Sequence, residues 1–203
     1  MGESMLFFLL TLGAYLLGSI PFGLWIGRLW ARIDVREHGS GNIGVSNVLR
    51  TVGVVPAIIV LILDVSKGLV PVLVAKAFLT NEDMWLVVGL SAIVGHTLPI
   101  FLKFKGGRGV ATASGVMLGL AIEVVFVLFL IWITTLLVSR YISLSSILAA
   151  IALPICLAVY QYPSSYIIFG VLLAILIIWR HRPNIQRLLA GTEYHIGEKA
   201  RKN

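Results

Sequence analysis

The chain has 203 residues, 59% of them hydrophobic and 12% charged, and carries a net charge of +7. A water-soluble domain carries roughly twice that share of charge, so the composition excludes one and predicts a single integral membrane domain over residues 1–203. Apolar runs such as 124–138 lack the alternation of a membrane barrel, which leaves an all-α polytopic protein.

The first predicted span covers residues 5–26. No basic cluster precedes it, and the apolar run continues through Gly18, Ser19, Ile20 and Pro21 without a cleavage pattern, so it reads as a span and not as a removed leader. The segment HGSGNIGVSNVLR (38–50) follows. Gly39, Gly41 and Gly44 fit G-x-G-x-x-G, but the preceding RIDVREH is charged where a dinucleotide fingerprint needs a buried strand. Ser40, Asn42, Ser46 and Asn47 instead offer donors and Arg50 a fixed positive charge, which suits an oxyanion. The competing reading is a polar turn between spans.

The second predicted span, 54–78, contains Asp64 and Lys67, which share a helix face. Such charges pair within the bundle or line a polar pocket; Lys76 can snorkel outward and is assigned no role. The third span, 85–102, carries His96, either a packing residue or a participant in chemistry. Next, Lys105, Gly106, Gly107, Arg108 and Gly109 lead into a helix, whose N-terminal N–H groups favour anions. The apolar stretch 110–138 is one long helix or two that turn near 119–123. Ser143, Ser145 and Ser146 open the span 143–160, where helix capping accounts for some of them. That span also holds Cys156, the only cysteine, so no disulfide framework or thiolate metal cluster is available. The acidic residues are too few and scattered for a metal site. After the span 165–179 comes RHRPNIQRLLAGTE (180–193), in which His181 and Asn184 are three apart on a helical face, Arg187 and Glu193 follow, and Arg180 and Arg182 read as surface anchors.

Charge distribution decides the span count. Every Lys and Arg except Lys67 and Lys76 falls in 28–50, 103–108, 140 or 180–202, while the remaining connections hold Glu3, Glu82 and Asp83 and no base. If 110–138 is two spans, all basic segments lie on the cytoplasmic side, as basic residues prefer. This predicts a seven-transmembrane-helix bundle, N-terminus outside and C-terminus cytoplasmic. Both glycine loops, the 140–146 turn and the tail then meet the cytoplasmic face, as one active site requires. A basic chain of this kind meets anionic headgroups and anionic substrates, not nucleic acid.

HGSGNIGVSNVLR, GHTLPIFLKFKGGRGVAT, SLSSI and RHRPNIQRLLAGTE, in this order, resemble the signature segments of the bacterial acyl-phosphate:glycerol-3-phosphate acyltransferase family, the PlsY type. The resemblance spans about residues 15–193. This chain has Val45 and Ser46 where the family usually reads Ala-Thr, Leu98 where it reads Phe, and Arg108 where it reads Lys. The resemblance implies transfer of a fatty acyl group from acyl phosphate to the sn-1 hydroxyl of glycerol 3-phosphate, giving lysophosphatidate and phosphate, in the bacterial cytoplasmic membrane and with no cofactor. It implies catalytic roles for Asn184, His181, Arg50 and Ser40. It also implies phosphate binding by Gly41, Asn42, Ser46, Asn47, residues 105–109, Ser143 and Glu193, with Glu193 alternatively fixing the tail or positioning Arg187. Asp64, Lys67 and His96 are candidate pocket-lining residues. No soluble-thioester His-x-x-x-x-Asp pair is present. The alternative is a membrane transporter of a phosphorylated small solute, which the crowding of polar residues on one face disfavours. The oligomeric state is open; a monomer suffices.

Overall fold

The computed structural model describes residues 2–199; Arg201 and Lys202 of the basic tail lie outside the described residues. All its regular elements among the described residues are helical. The chain forms two compact units, one built by the chain up to Gly119 with residues 197–199, the other Leu120–Ile196.

The first unit contains α1 (Glu3–Gly18), α2 (Phe22–Ala31), the short α3 (Val45–Thr51), α4 (Val54–Phe78), α5 (Glu82–Thr97) and α6 (Val110–Leu120), which ends at the unit's border. The helix predicted over 5–26 is in fact two, because Pro21 lacks the N–H that would continue the ladder and the chain breaks over Ser19–Pro21. The helix predicted over 85–102 stops at Thr97, two residues before Pro99. Small residues let these helices approach closely. A Cβ at Gly18 would lie 2.1 Å from the Ala92 carbonyl oxygen, and one at Gly95 would lie 2.3 Å from that of Tyr15, so α1 and α5 touch backbone to backbone. Gly68 and Gly115 do the same for α4 and α6, at 2.1 Å from Thr112 O and 2.0 Å from Val65 O.

The second unit holds α7 (Ile122–Ser139), α8 (Ile142–Val159), α9 (Ser164–Arg180) and α10 (Arg182–Leu189). The stretch 110–138 is thus two helices, separated at Ala121. The tail after α10 folds back on the α7–α8 turn: the Ile196 N–H donates to the Arg140 carbonyl at 2.8 Å, and the His195 ring stacks on Tyr141 at 4.4 Å. Five helical runs among the described residues are long and apolar enough to cross a membrane, and α9 with α10, bent by 59°, makes a sixth. With 11 residues, α6 reaches about 16 Å at 1.5 Å per residue.

Candidate functional site

In the first unit, the first glycine loop folds around Asn47, which is 1% exposed. Its Oδ1 accepts the Ser40 N–H at 2.9 Å, and its Nδ2 lies 2.7, 2.8 and 3.1 Å from the carbonyl oxygens of Val35, Asn42 and His38. Asn42 Oδ1 accepts the Gly44 N–H at 2.8 Å and turns the chain into α3. Gly41, with φ of 69°, donates its N–H to the His38 carbonyl at 3.1 Å. The loop presses on α2, where a Cβ at Gly23 would stand 1.8 Å from the Ile43 carbonyl oxygen. At its base, Arg36 and Arg28 both bond the Asp34 carboxylate, at 2.6 and 3.0 Å. The Arg36 hydrogen bond above all, and that of Arg28, hold Asp34 well below the usual carboxylate range. Two expected ligand donors, the Asn47 amide and the Gly41 N–H, are engaged inside the loop. Ser40, Ser46 and Arg50 remain half-buried on the loop and α3.

The second loop is seated on the end of α5. The Gly107 N–H donates to the His96 carbonyl at 3.1 Å, which withdraws it from the set of N–H groups expected to meet an anion. A Cβ at Gly106 would lie 2.2 Å from that same carbonyl oxygen, and one at Gly107 would lie 2.1 Å from His96 Nε2. Gly109 takes φ of 86° as α6 begins, and Lys105 is exposed. Beneath the loop, His96 Nδ1 is 3.7 Å from Asp64 Oδ1, which pairs with Lys67 Nζ at 2.8 Å. His96, Asp64 and Lys67 are 4%, 2% and 3% exposed. The charges of Asp64 and Lys67 face each other, as the pairing reading of these two residues expects.

In the second unit, one carboxylate gathers three donors. Glu193 Oε1 accepts from Ser143 Oγ at 2.9 Å and Asn184 Nδ2 at 2.6 Å, and Oε2 accepts from Arg187 Nε at 2.6 Å. Ser143, Asn184 and Glu193 are buried, at 3%, 1% and 6%. Two further atoms of the cluster, Asn184 Oδ1 and Arg187 Nη2, are buried with no hydrogen-bond partner among the described residues. His181 does not share a helix with Asn184. It occupies the bend between α9 and α10, where its carbonyl accepts the Asn184 N–H at 2.8 Å. Its Nδ1 donates to the Ile177 carbonyl at 2.8 Å, since a carbonyl only accepts. Two residues expected to bind phosphate are bonded to each other here. Glu193 is an acceptor with a negative charge, and Ser143 gives its proton to Glu193. Nor do serines cap α8: Tyr141 holds the cap position, and Ser145 and Ser146 donate to the Tyr141 and Ile142 carbonyls, both at 2.9 Å. The sequence carried no signal for the Tyr141–His195 stack or for the open Asn184 oxygen.

A family model described as glycerol-3-phosphate acyltransferase matches residues 8–191. The chain belongs to this family. A glycerol-3-phosphate acyltransferase of Desulforamulus reducens is 48% identical over 191 residues, covering 94% of this chain and 96% of that one. One of Shouchella clausii is 47% identical over 196 residues, covering 93% and 95%. Among solved structures, PlsY, an integral membrane glycerol 3-phosphate acyltransferase in its glycerol 3-phosphate form, matches with a TM-score of 0.90 at 42% identity, over 94% of this chain and 96% of that one. Its lysophosphatidic acid form matches at 0.87 and 41%, over 94% and 95%. This acyltransferase family match takes in both glycine loops, Ser143, His181 and Asn184; Glu193 falls two residues beyond it.

Proposed function

We propose that the chain transfers a fatty acyl group from acyl phosphate to the sn-1 hydroxyl of glycerol 3-phosphate, forming 1-acyl-glycerol 3-phosphate and inorganic phosphate. The observation that carries the reading is Asn184 Oδ1, a buried acceptor that has no donor among the described residues and suits a substrate hydroxyl. The likeness to a protein solved in its glycerol 3-phosphate form supports the choice of acceptor substrate.

Acyl phosphate is a mixed anhydride with a good leaving group, so positioning and electrostatic stabilisation suffice and no covalent nucleophile is required. The Asn184 oxygen accepts the hydroxyl's hydrogen bond and orients its oxygen, with His181 supporting the same bend. That oxygen bonds to the acyl carbon, the bond from the acyl carbon to the phosphate oxygen breaks, and the hydroxyl proton passes to a phosphate oxygen. Ser40, Arg50, Lys105 and Arg108, with Asn42 and Ser46, hold the phosphates. Residues 1–203 act as one acyltransferase domain with seven spans, α6 being the short fourth. The N-terminus lies outside and the C-terminus and reaction on the cytoplasmic side of a bacterial inner membrane. The segregation of basic segments supports this orientation, and a thinned bilayer accommodates α6.

The test is phosphate release by purified protein in detergent, given palmitoyl phosphate and glycerol 3-phosphate in chelator-treated buffer, with acyl-CoA replacing acyl phosphate in a second arm. Release in the first arm alone is the expected result; release only from acyl-CoA overturns the donor assignment. A covalent acyl-enzyme trapped from acyl phosphate alone overturns direct attack. Cysteine tags at Ser46 and Arg108 that react with an impermeant reagent outside intact cells overturn the orientation.

A further inference from the structure

The two lysines inside α4 both serve carbonyls at helix breaks. Lys76 Nζ donates to the Gly119 carbonyl at 3.0 Å, where α6 is ending, and stands 5.3 Å from the Trp85 ring. Lys67 Nζ donates to the Ile20 carbonyl at 3.0 Å, in the break between α1 and α2, and stands 5.4 Å from the Phe22 ring. The Ile20 carbonyl also accepts the Phe22 N–H at 3.1 Å, so Lys67 adds a second, charged donor at that break.

Lys67 has a second consequence. Its partner Asp64 faces the Nδ1 edge of His96 at 3.7 Å, too long for a hydrogen bond but close enough for a fixed negative charge to orient the imidazole. The Nε2 edge of that imidazole occupies the space a Cβ of Gly107 would need. The same residue's carbonyl holds the Gly107 N–H. A line of buried contacts therefore runs from the α1–α2 break through Lys67, Asp64 and His96 to the backbone of the second glycine loop.

We infer that Asp64 and Lys67 are positioning residues for residues 105–109. The pair fixes the His96 ring, and the ring sets the Gly106–Gly107 backbone from which Lys105 and Arg108 project. The inference rests on the reading of that loop as a phosphate cradle. A pair that merely stabilised α4 would leave the loop's own mobility unchanged.

Asp64→Asn combined with Lys67→Met removes both charges at nearly constant volume and strands neither. Hydrogen exchange of the purified protein in detergent is read on peptides covering 105–109 and, for comparison, 36–44. Exchange at 105–109 quickens about tenfold in the double variant while 36–44 keeps its wild-type rate. The KM for a phosphorylated substrate rises about tenfold, with kcat within about threefold of wild type. His96→Ala leaves the ion pair intact, opens space beside Gly107 and loosens the same peptide. Wild-type exchange at 105–109 in the folded double variant overturns the positioning role; if that variant does not fold, wild-type exchange there in His96→Ala does so. If the wild-type protein releases no phosphate, the acyltransferase reading falls, while the exchange data still decide the positioning role.

Discussion

Replacing Glu193 by alanine tests the organisation of the second unit most directly. The substitution removes the acceptor for Ser143 Oγ, Asn184 Nδ2 and Arg187 Nε at once. Ser143 and Asn184 are buried, so each stranded donor costs about 1–3 kcal/mol. Arg187, with its side chain 27% exposed, can recover part of its loss from solvent and is given little weight. The sum is about 4 kcal/mol, which for a chain of this length corresponds to a fall in Tm of roughly 10 °C. Glu193→Gln keeps one acceptor oxygen but turns an amide N–H₂ toward a donor, and falls between wild type and alanine. The assay is thermal unfolding in detergent followed by tryptophan fluorescence, to which Trp132 and Trp179 report from the same unit. A Tm for the alanine variant within about 2 °C of wild type refutes the claim that this carboxylate holds the cluster together.

Other outcomes follow from the same geometry. Gly107→Ala drives a methyl group into the His96 ring and raises the KM for a phosphorylated substrate about tenfold, whereas Gly13→Ala, with nothing within 4 Å of the new Cβ, leaves both Tm and turnover at wild-type values. Asn47→Asp keeps the acceptor for Ser40 but sets a carboxylate against three carbonyl oxygens. The 36–44 loop then becomes a site of rapid proteolysis; resistance equal to wild type refutes the hub role. The depressed Asp34 ionisation makes its arginine pairs fully effective above about pH 4, and the contribution shrinks as pH falls from there toward the folded-state value. The stability gap between wild type and Asp34→Asn is therefore constant at neutral pH and narrows in acid; a gap that widens in acid refutes the assignment.

The apolar helices were legible because hydropathy and length carry the signal, and the division of 110–138 followed from where the basic residues fall. Their ends were less legible. Pro71 and Pro154 sit inside α4 and α8 without ending them, whereas Pro21 and Pro99 follow helix ends, and composition alone does not separate the two cases. Lys76 carried no sequence-based role because its acceptor, the Gly119 carbonyl, is created by the break at Ala121. The approach of Asp64 to His96 joins residues 32 apart on different helices. No local pattern encodes such a contact.

Asn47 and Asn184 show where residue type stops and environment begins. Both lie within glycine-containing polar segments and both are 1% exposed; the sequence reading offers Asn47 as a ligand donor, and the family resemblance gives Asn184 a catalytic role. Asn47 directs its oxygen and its nitrogen at the backbone of its own loop. The orientation of Asn184 is fixed by charge: its nitrogen faces the Glu193 carboxylate, and a flipped amide would set oxygen against oxygen. Its Oδ1 is therefore the atom left over, buried and without a donor among the described residues. Leaving such an acceptor unpaired costs about 1–3 kcal/mol, and folded proteins seldom carry that cost without a use. A neutral hydroxyl donor relieves it, whereas a phosphate oxygen, itself an acceptor, does not. On this ground Asn184 is proposed to take a hydroxyl rather than a phosphate: an Asn184→Asp variant, which keeps an acceptor there, retains more turnover than Asn184→Ala, and equal loss in the two refutes the proposal.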